Sequence, residues 1–138
     1  MPTESQFKDP TPFNLILWGT ARLTKDAARK LAAECVGEFL KFVQNDKRTL
    51  DYMGERSKDK YMHDTATFPE ARHIGFRISF WDENMDRQIE PYIAEIRLHE
   101  GKLRYFTADD GQRLVLAHEE TFDEGQEYLK SLSNTSIQ

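Results

Sequence analysis

The sequence predicts an α+β fold: a long N-terminal helix packed on a four-stranded antiparallel meander, with a short helix at the C-terminus. Three observations carry this. Apolar residues recur at helical spacing from Lys25 to about Asn45. From His73 to Trp81 the period changes to two. From Tyr92 to Glu119 the chain reads as strands joined by two tight turns, with a helix start directly after them.

Met1 to Thr11 is polar and carries two prolines, as a loose tail does. Phe13 to Leu23 is an apolar run that fits a strand bending at Gly19 or a short helix, since periodicity alone does not separate them. A strand there would make the sheet five-stranded. Thr24 then stands as an N-cap, with Asp26 in the first turn where its charge complements the helix dipole. Ala28, Leu31, Ala32, Cys35, Phe39, Phe42 and Val43 form one stripe, so this helix covers a sheet face. Between Asn45 and Pro69, Leu50, Tyr52, Met53, Tyr61 and Met62 allow a second short helix broken near Gly54, and Glu55 to Lys60 is a solvated charge run. This stretch, 45–69, has no clear pattern and reads as mobile; Pro69 ends any helix before it.

In the strand that follows, Ile74, Phe76, Ile78 and Phe80 point one way, and His73, Arg77, Ser79 and Trp81 the other. Asp82 to Asp86 is a turn, and the next strand begins near Arg87, with Pro91 marking an edge or bulge. Taking Glu100-Gly101 as a hairpin turn pairs Leu98 with Leu103 and Ile96 with Tyr105. Taking Asp110-Gly111 as the next pairs Thr107 with Leu114, Tyr105 with Leu116 and Leu103 with His118. The inner face then collects Tyr92, Ala94, Ile96, Leu98, Leu103, Tyr105, Leu114 and Leu116. Thr121-Phe122-Asp123-Glu124 is a capping box opening the last helix, whose buried side is Phe122, Tyr128, Leu129 and Leu132. Ser133 to Gln138 reads as a polar tail.

At 138 residues the chain is expected to be a single domain, long enough to bury a core without disulfides or metals. With 24 acidic against 19 basic residues the net charge is -5, which argues against nucleic-acid binding. No apolar run approaches bilayer length, and the N-terminus has no signal pattern. One cysteine excludes an internal disulfide and agrees with a cytoplasmic location. The helix-on-sheet layout resembles the cystatin-like and NTF2-like shapes in outline, although no motif carries a family.

The chemistry-bearing residues divide between two faces. No phosphate loop, HExxH, CxxC or GxSxG is present, and no cofactor or metal is implied. Asp82 to Asp86 matches only the first half of a calcium loop, with Arg87 where glycine is required, and so reads as an acidic turn. Cys35 falls in the helix stripe and is structural. The histidines lack ligand spacing; His118 alone points inward, where with Tyr92 and Tyr105 it would line a pocket between helix and sheet. The opposite, outer face gathers Arg77, Trp81, Glu95, Arg97, Arg104, Phe106 and Val115. Arginine with aromatics is what protein interfaces favour. Arg77, Trp81, Arg97, Arg104 and Phe106 are therefore the candidate binding residues. The expectation is a non-enzymatic protein-binding or adaptor module of chaperone or immunity-protein character, engaging a protein partner or itself. The alternative is a small enzyme or ligand-binding domain built on the Tyr92, Tyr105 and His118 pocket.

Overall fold

The computed structural model describes residues 13–47 and 70–137, with side chains to Ser133. The N-terminal tail, His63 and the short helix expected between Asn45 and Pro69 lie almost wholly outside these residues. The order is β1 (Phe13–Gly19), α1 (Lys25–Asn45), a 3-10 turn (Ala71–His73), β2 (Ile74–Phe80), β3 (Glu95–His99), β4 (Lys102–Ala108), β5 (Leu114–Thr121) and α2 (Phe122–Ile137). The architecture is α+β, the described residues forming two helices on a five-stranded sheet ordered β1-β2-β3-β4-β5.

The four-stranded antiparallel meander is as expected, and the Phe13 region adds the fifth strand. That strand pairs parallel with β2, Phe13 opposite Ile74 and Leu17 opposite Ile78, so the sheet is mixed rather than wholly antiparallel. A parallel pair requires a crossover connection rather than a hairpin, and α1 lies between these two strands in the chain.

α1 begins where its cap residue dictates: the Thr24 hydroxyl accepts from the Ala27 N–H at 3.3 Å. Ala28, Ala32, Ala33, Val36 and Val43 are buried, and Leu31, Cys35, Phe39 and Leu40 pack at the margin. The small residues of α1 also let the C-terminal helix approach closely, Gly37 lying against the Gln126 side chain. Phe42, assigned to the same stripe, is 62% exposed instead. In β2 the period-two pattern holds, with Ile74, Phe76, Ile78 and Phe80 all buried. His73 departs from the outer set: it is buried in the 3-10 turn, where its Nδ1 accepts from the Glu70 N–H at 3.0 Å.

The second strand of the meander starts later than the pattern suggests. Arg87 makes only an isolated bridge to Trp81, and β3 begins at Glu95 after an irregular segment containing a cis Glu90–Pro91 peptide. In that segment Ile93 and Ala94 are buried, and the Ile93 N–H is donated to the Leu23 carbonyl at 2.8 Å. Tyr92, expected inside, is half-buried.

The first hairpin turn matches its prediction: Glu100 and Gly101 have φ of 51° and 80°, and Leu98 faces Leu103 while Ile96 faces Tyr105. The second does not. The Asp109 carboxylate accepts from the N–H groups of Gly111 and Arg113 at 2.9 and 3.0 Å, and the Asp109 N–H is donated to the Arg113 carbonyl. This holds a wider loop, and Ala108 rather than Thr107 pairs with Leu114. A bulge between Tyr105 and Phe106 shifts the ladder again, setting Tyr105 against His118 and Leu103 against Glu120. The expected pairs Thr107–Leu114, Tyr105–Leu116 and Leu103–His118 are therefore replaced. Leu116 pairs with Phe106 on the outer face and is 50% exposed, and Glu120 takes the inner place.

α2 starts at the predicted capping box, the Thr121 N–H donated to Glu124 at 3.0 Å and the Glu124 N–H to the Thr121 hydroxyl at 3.1 Å. It runs through Ile137, beyond the Ser133 boundary drawn from polarity alone. It lies on the same face as α1: Gln126 donates to the Ala33 carbonyl at 3.0 Å, and Gly125 sits against Leu103. Among the described residues no element covers the opposite face of the sheet.

Because Ala32 is fully buried where α1 meets the sheet, Ala32→Leu is expected to overpack the interface. The expected loss is about 1–3 kcal/mol, read as a lower urea midpoint at unchanged m-value.

Candidate functional site

The sequence placed candidate chemistry on both faces, and the structure treats the two differently. On the inner face Tyr105 and His118 are brought together, ring centroids 5.6 Å apart, while Tyr92 lines a separate depression with Arg22, Asp82 and Gln112. At the centre of the first group stands Glu120, which the predicted register had left out.

The Glu120 side chain is 2% exposed. Arg29 reaches it from α1, Nε at 3.2 Å and Nη2 at 2.8 Å, and the Tyr105 hydroxyl donates to it at 2.8 Å. The His118 Nε2 is buried without a hydrogen bond and lies 3.7 Å from the same carboxylate. Tyr128 of α2 stacks its ring under the Arg29 guanidinium at 3.8 Å. Burial works to raise the Glu120 carboxyl, but the hydrogen bonds from Arg29 and Tyr105 outweigh it and hold the group below the ordinary carboxylate value. Burial, and then the bond to Glu120, raise Tyr105 far above the ordinary phenol value. An acid, a phenol and an imidazole together are the inventory of acid–base catalysis. Here, however, both carboxylate oxygens are engaged and the group faces the core. Leu31, Phe39 and Ile78 belong to that same packed cluster, and Leu116 lies on the other side of the sheet. What the arrangement does is fasten α1 and α2 to the end of the sheet.

Arg29 was the missed signal. It shares helical spacing with Ala32, Ala33 and Val36, so it is a cation on the buried side of α1 that requires a carboxylate opposite. Cys35 is half-buried, and burial raises its thiol above the ordinary value, consistent with a packing role.

On the outer face the strands bring most of the predicted set together. Arg77 sits directly opposite Arg97, and Arg97 directly opposite Arg104. With Lys102, His99, Phe106, Gly75 and β1 residues Asn14 to Ile16, these arginines line one groove of about 540 Å³. Four cations line it and no carboxylate does. Glu95, 5% exposed, lies beneath: it accepts from Arg97 and, at 3.1 Å, from the Ser79 hydroxyl. The Arg97 guanidinium is 4.9 Å from the centre of the Phe106 ring. Arg104 and Lys102 share Glu119 at the flank, at 3.0 and 3.8 Å. Arg77 has no carboxylate partner among the described residues.

Trp81 is not part of the groove. It lies beyond its end, with the Arg87 guanidinium 5.9 Å from its ring. Val115 leaves the outer set because it pairs with Thr107, and Leu116 takes the place beside Phe106. The Asp82 turn is capped internally, Asp82 Oδ1 accepting from Asn84 and Asp86 at 2.8 and 3.0 Å, so its acids serve the turn. No helix among the described residues is long and apolar enough to cross a membrane. No protein-family model, curated protein or solved structure matches the chain.

The sign of the Glu120 effect is testable. A carboxyl held low in the fold stabilises it above the unfolded carboxylate range, and that contribution fades as pH falls through the folded value. Arg29→Met leaves a buried carboxylate without its cation and is expected to destabilise by about 3 kcal/mol near neutral pH. In the variant burial dominates, so Glu120 takes up a proton in mild acid. The deficit against the wild type should therefore shrink between about pH 7 and about pH 4, measured by urea unfolding at both.

Proposed function

We propose that the protein is a non-enzymatic protein-binding module, of adaptor, chaperone or immunity-protein character. Its outer sheet face docks an acidic, partly apolar segment of a partner. The observation that supports this most is the row Arg77, Arg97 and Arg104 in direct register across β2, β3 and β4. Like charges placed directly opposite one another on a sheet are unfavourable. Glu95 and Glu119 relieve Arg97 and Arg104 in part. Arg77 is left to an outside anion, and the groove is shaped to admit one. Guanidinium forks bind carboxylates in a bidentate manner, and Phe106 with the exposed Ile16 and Leu116 supplies adjoining apolar surface. A charge of this sign on one face of a chain of net charge -5 selects its partner by contrast with the rest of the surface.

The test uses a fluorescent peptide rich in Glu and Leu as a probe, followed by anisotropy at low and high salt. Arg77→Glu with Lys102→Glu spares Arg97, whose loss would strand the buried Glu95. The expected result is salt-sensitive binding that the double variant weakens about tenfold or more, at unchanged thermal midpoint. Equal affinity in the variant, or preference for single-stranded DNA over the peptide, would overturn the reading.

A further inference from the structure

The sheet has an open edge that carries a second, independent message. β1 occupies one end of the strand order, and no strand among the described residues pairs with its outer side. Ile16 and Trp18 are 66% and 70% exposed, and Leu17 is 37% exposed. Exposed edges in monomers are usually guarded by lysine, proline or a bulge. The β1 sequence FNLILWG has no charged residue or proline, and its pairing to β2 is unbroken from Phe13 to Gly19. Gly19 turns its carbonyl toward β2, accepting from the Trp81 N–H at 2.9 Å. By alternation along the strand, Ile16 and Trp18 turn their N–H and C=O groups to the open side.

We propose that β1 is the two-fold contact of a homodimer, two copies pairing their β1 strands antiparallel so that the five-stranded sheet continues into a second one. The occupant is identified by how the strand matches itself. With Leu17 on the two-fold axis, Ile16 of one copy lies opposite Trp18 of the other, and Trp18 opposite Ile16. Both aromatic–aliphatic pairs form on the outer face between the residues whose backbone groups face the open side, and Leu17 meets Leu17 on the inner face as a pair without hydrogen bonds. Such cross-strand pairs are the unit of sheet stabilisation. Charge points the same way. A foreign partner selected by charge finds none on β1, whereas two copies of an acidic chain meet here along a strand that carries no charge to repel. The edge is continuous with the groove, since Asn14, Leu15 and Ile16 form its wall. Pairing the edges therefore sets two grooves side by side on one face.

Sedimentation velocity of the full chain over a wide concentration series reads the assembly. The expected result is a dimer that Ile16→Lys with Trp18→Lys converts to a monomer, with far-UV circular dichroism unchanged. A monomer at every concentration overturns the proposal. So does a dimer that survives this pair of substitutions, or one that Arg77→Glu with Lys102→Glu abolishes. The last outcome would place the contact on the groove, so the dimer and the peptide reading fail separately. A second variant does not depend on weakening the contact. Antiparallel partners without hydrogen bonds between them have Cα atoms about 4.5 Å apart, within disulfide range. Leu17→Cys in a Cys35→Ser background should cross-link to a covalent dimer under mild oxidation. Asn14→Cys, which meets no copy of itself in this register, should not. Equal cross-linking of the two, or none for Leu17→Cys, rejects the pairing.

Discussion

Glu120 is held by three elements at once. Its carboxylate receives Arg29 from α1 and Tyr105 from β4, while its backbone belongs to β5 and hands over directly to the capping box of α2. An ion pair of this kind adds little to stability compared with apolar residues of the same shape, because both charges are taken from water. Its effect is specificity. Any register of β5 that removes Glu120 from Arg29 leaves both charges unsatisfied, which excludes the neighbouring registers that an alternating apolar strand would otherwise tolerate. The bulge at Tyr105 and Phe106 is the geometric means to that end.

The same bulge decides what the outer face contains. It carries Leu116 out beside Phe106 and leaves the β2–β3–β4 rows undisturbed, so the three arginines remain in line. The inner and outer faces are consequently unlike in kind. One is closed by two helices, with Glu120 bonded to Arg29 and Tyr105. The other keeps four cations around a groove in which Gly75 contributes no side chain and, among the described residues, only Glu95 offers deep compensation.

Much of this was legible before the structure. Elements with a single strong local cause were found at their true positions: α1 by its stripe and Thr24, β2 by its alternation, the Glu100-Gly101 turn by its glycine, α2 by its capping box. The errors share a different character. Asp110-Gly111 looks like a two-residue turn, but the carboxylate of Asp109, one residue earlier, bonds two backbone N–H groups and widens the loop. That interaction is local yet invisible to dipeptide rules, and its consequence, Glu120 inside and Leu116 outside, depends on a partner some ninety residues away in the chain. The direction of β1 was likewise not encoded in its own residues. The row of arginines was legible because it rests on β2, β3 and β4, whose registers come from the well-specified parts of the chain. Trp81 lies past the end of β2, beside Arg87 and outside the groove.

The parallel seam between β1 and β2 has a consequence for how the chain assembles. Hairpin partners such as Leu98 and Leu103 are close in sequence, whereas Phe13 must find Ile74 across α1 and all that follows it. Closing so long a loop carries an entropic penalty that the hairpins avoid, and contacts of high sequence separation form late. β2 to β5 with α2 therefore make up a unit of mostly local contacts, onto which β1 and α1 both dock from far away in sequence, β1 against β2 and α1 against β5 and α2. The strand that ends the sheet in space is thus joined to it only by long-range pairing, and until that pairing forms its apolar ribbon is open to another chain.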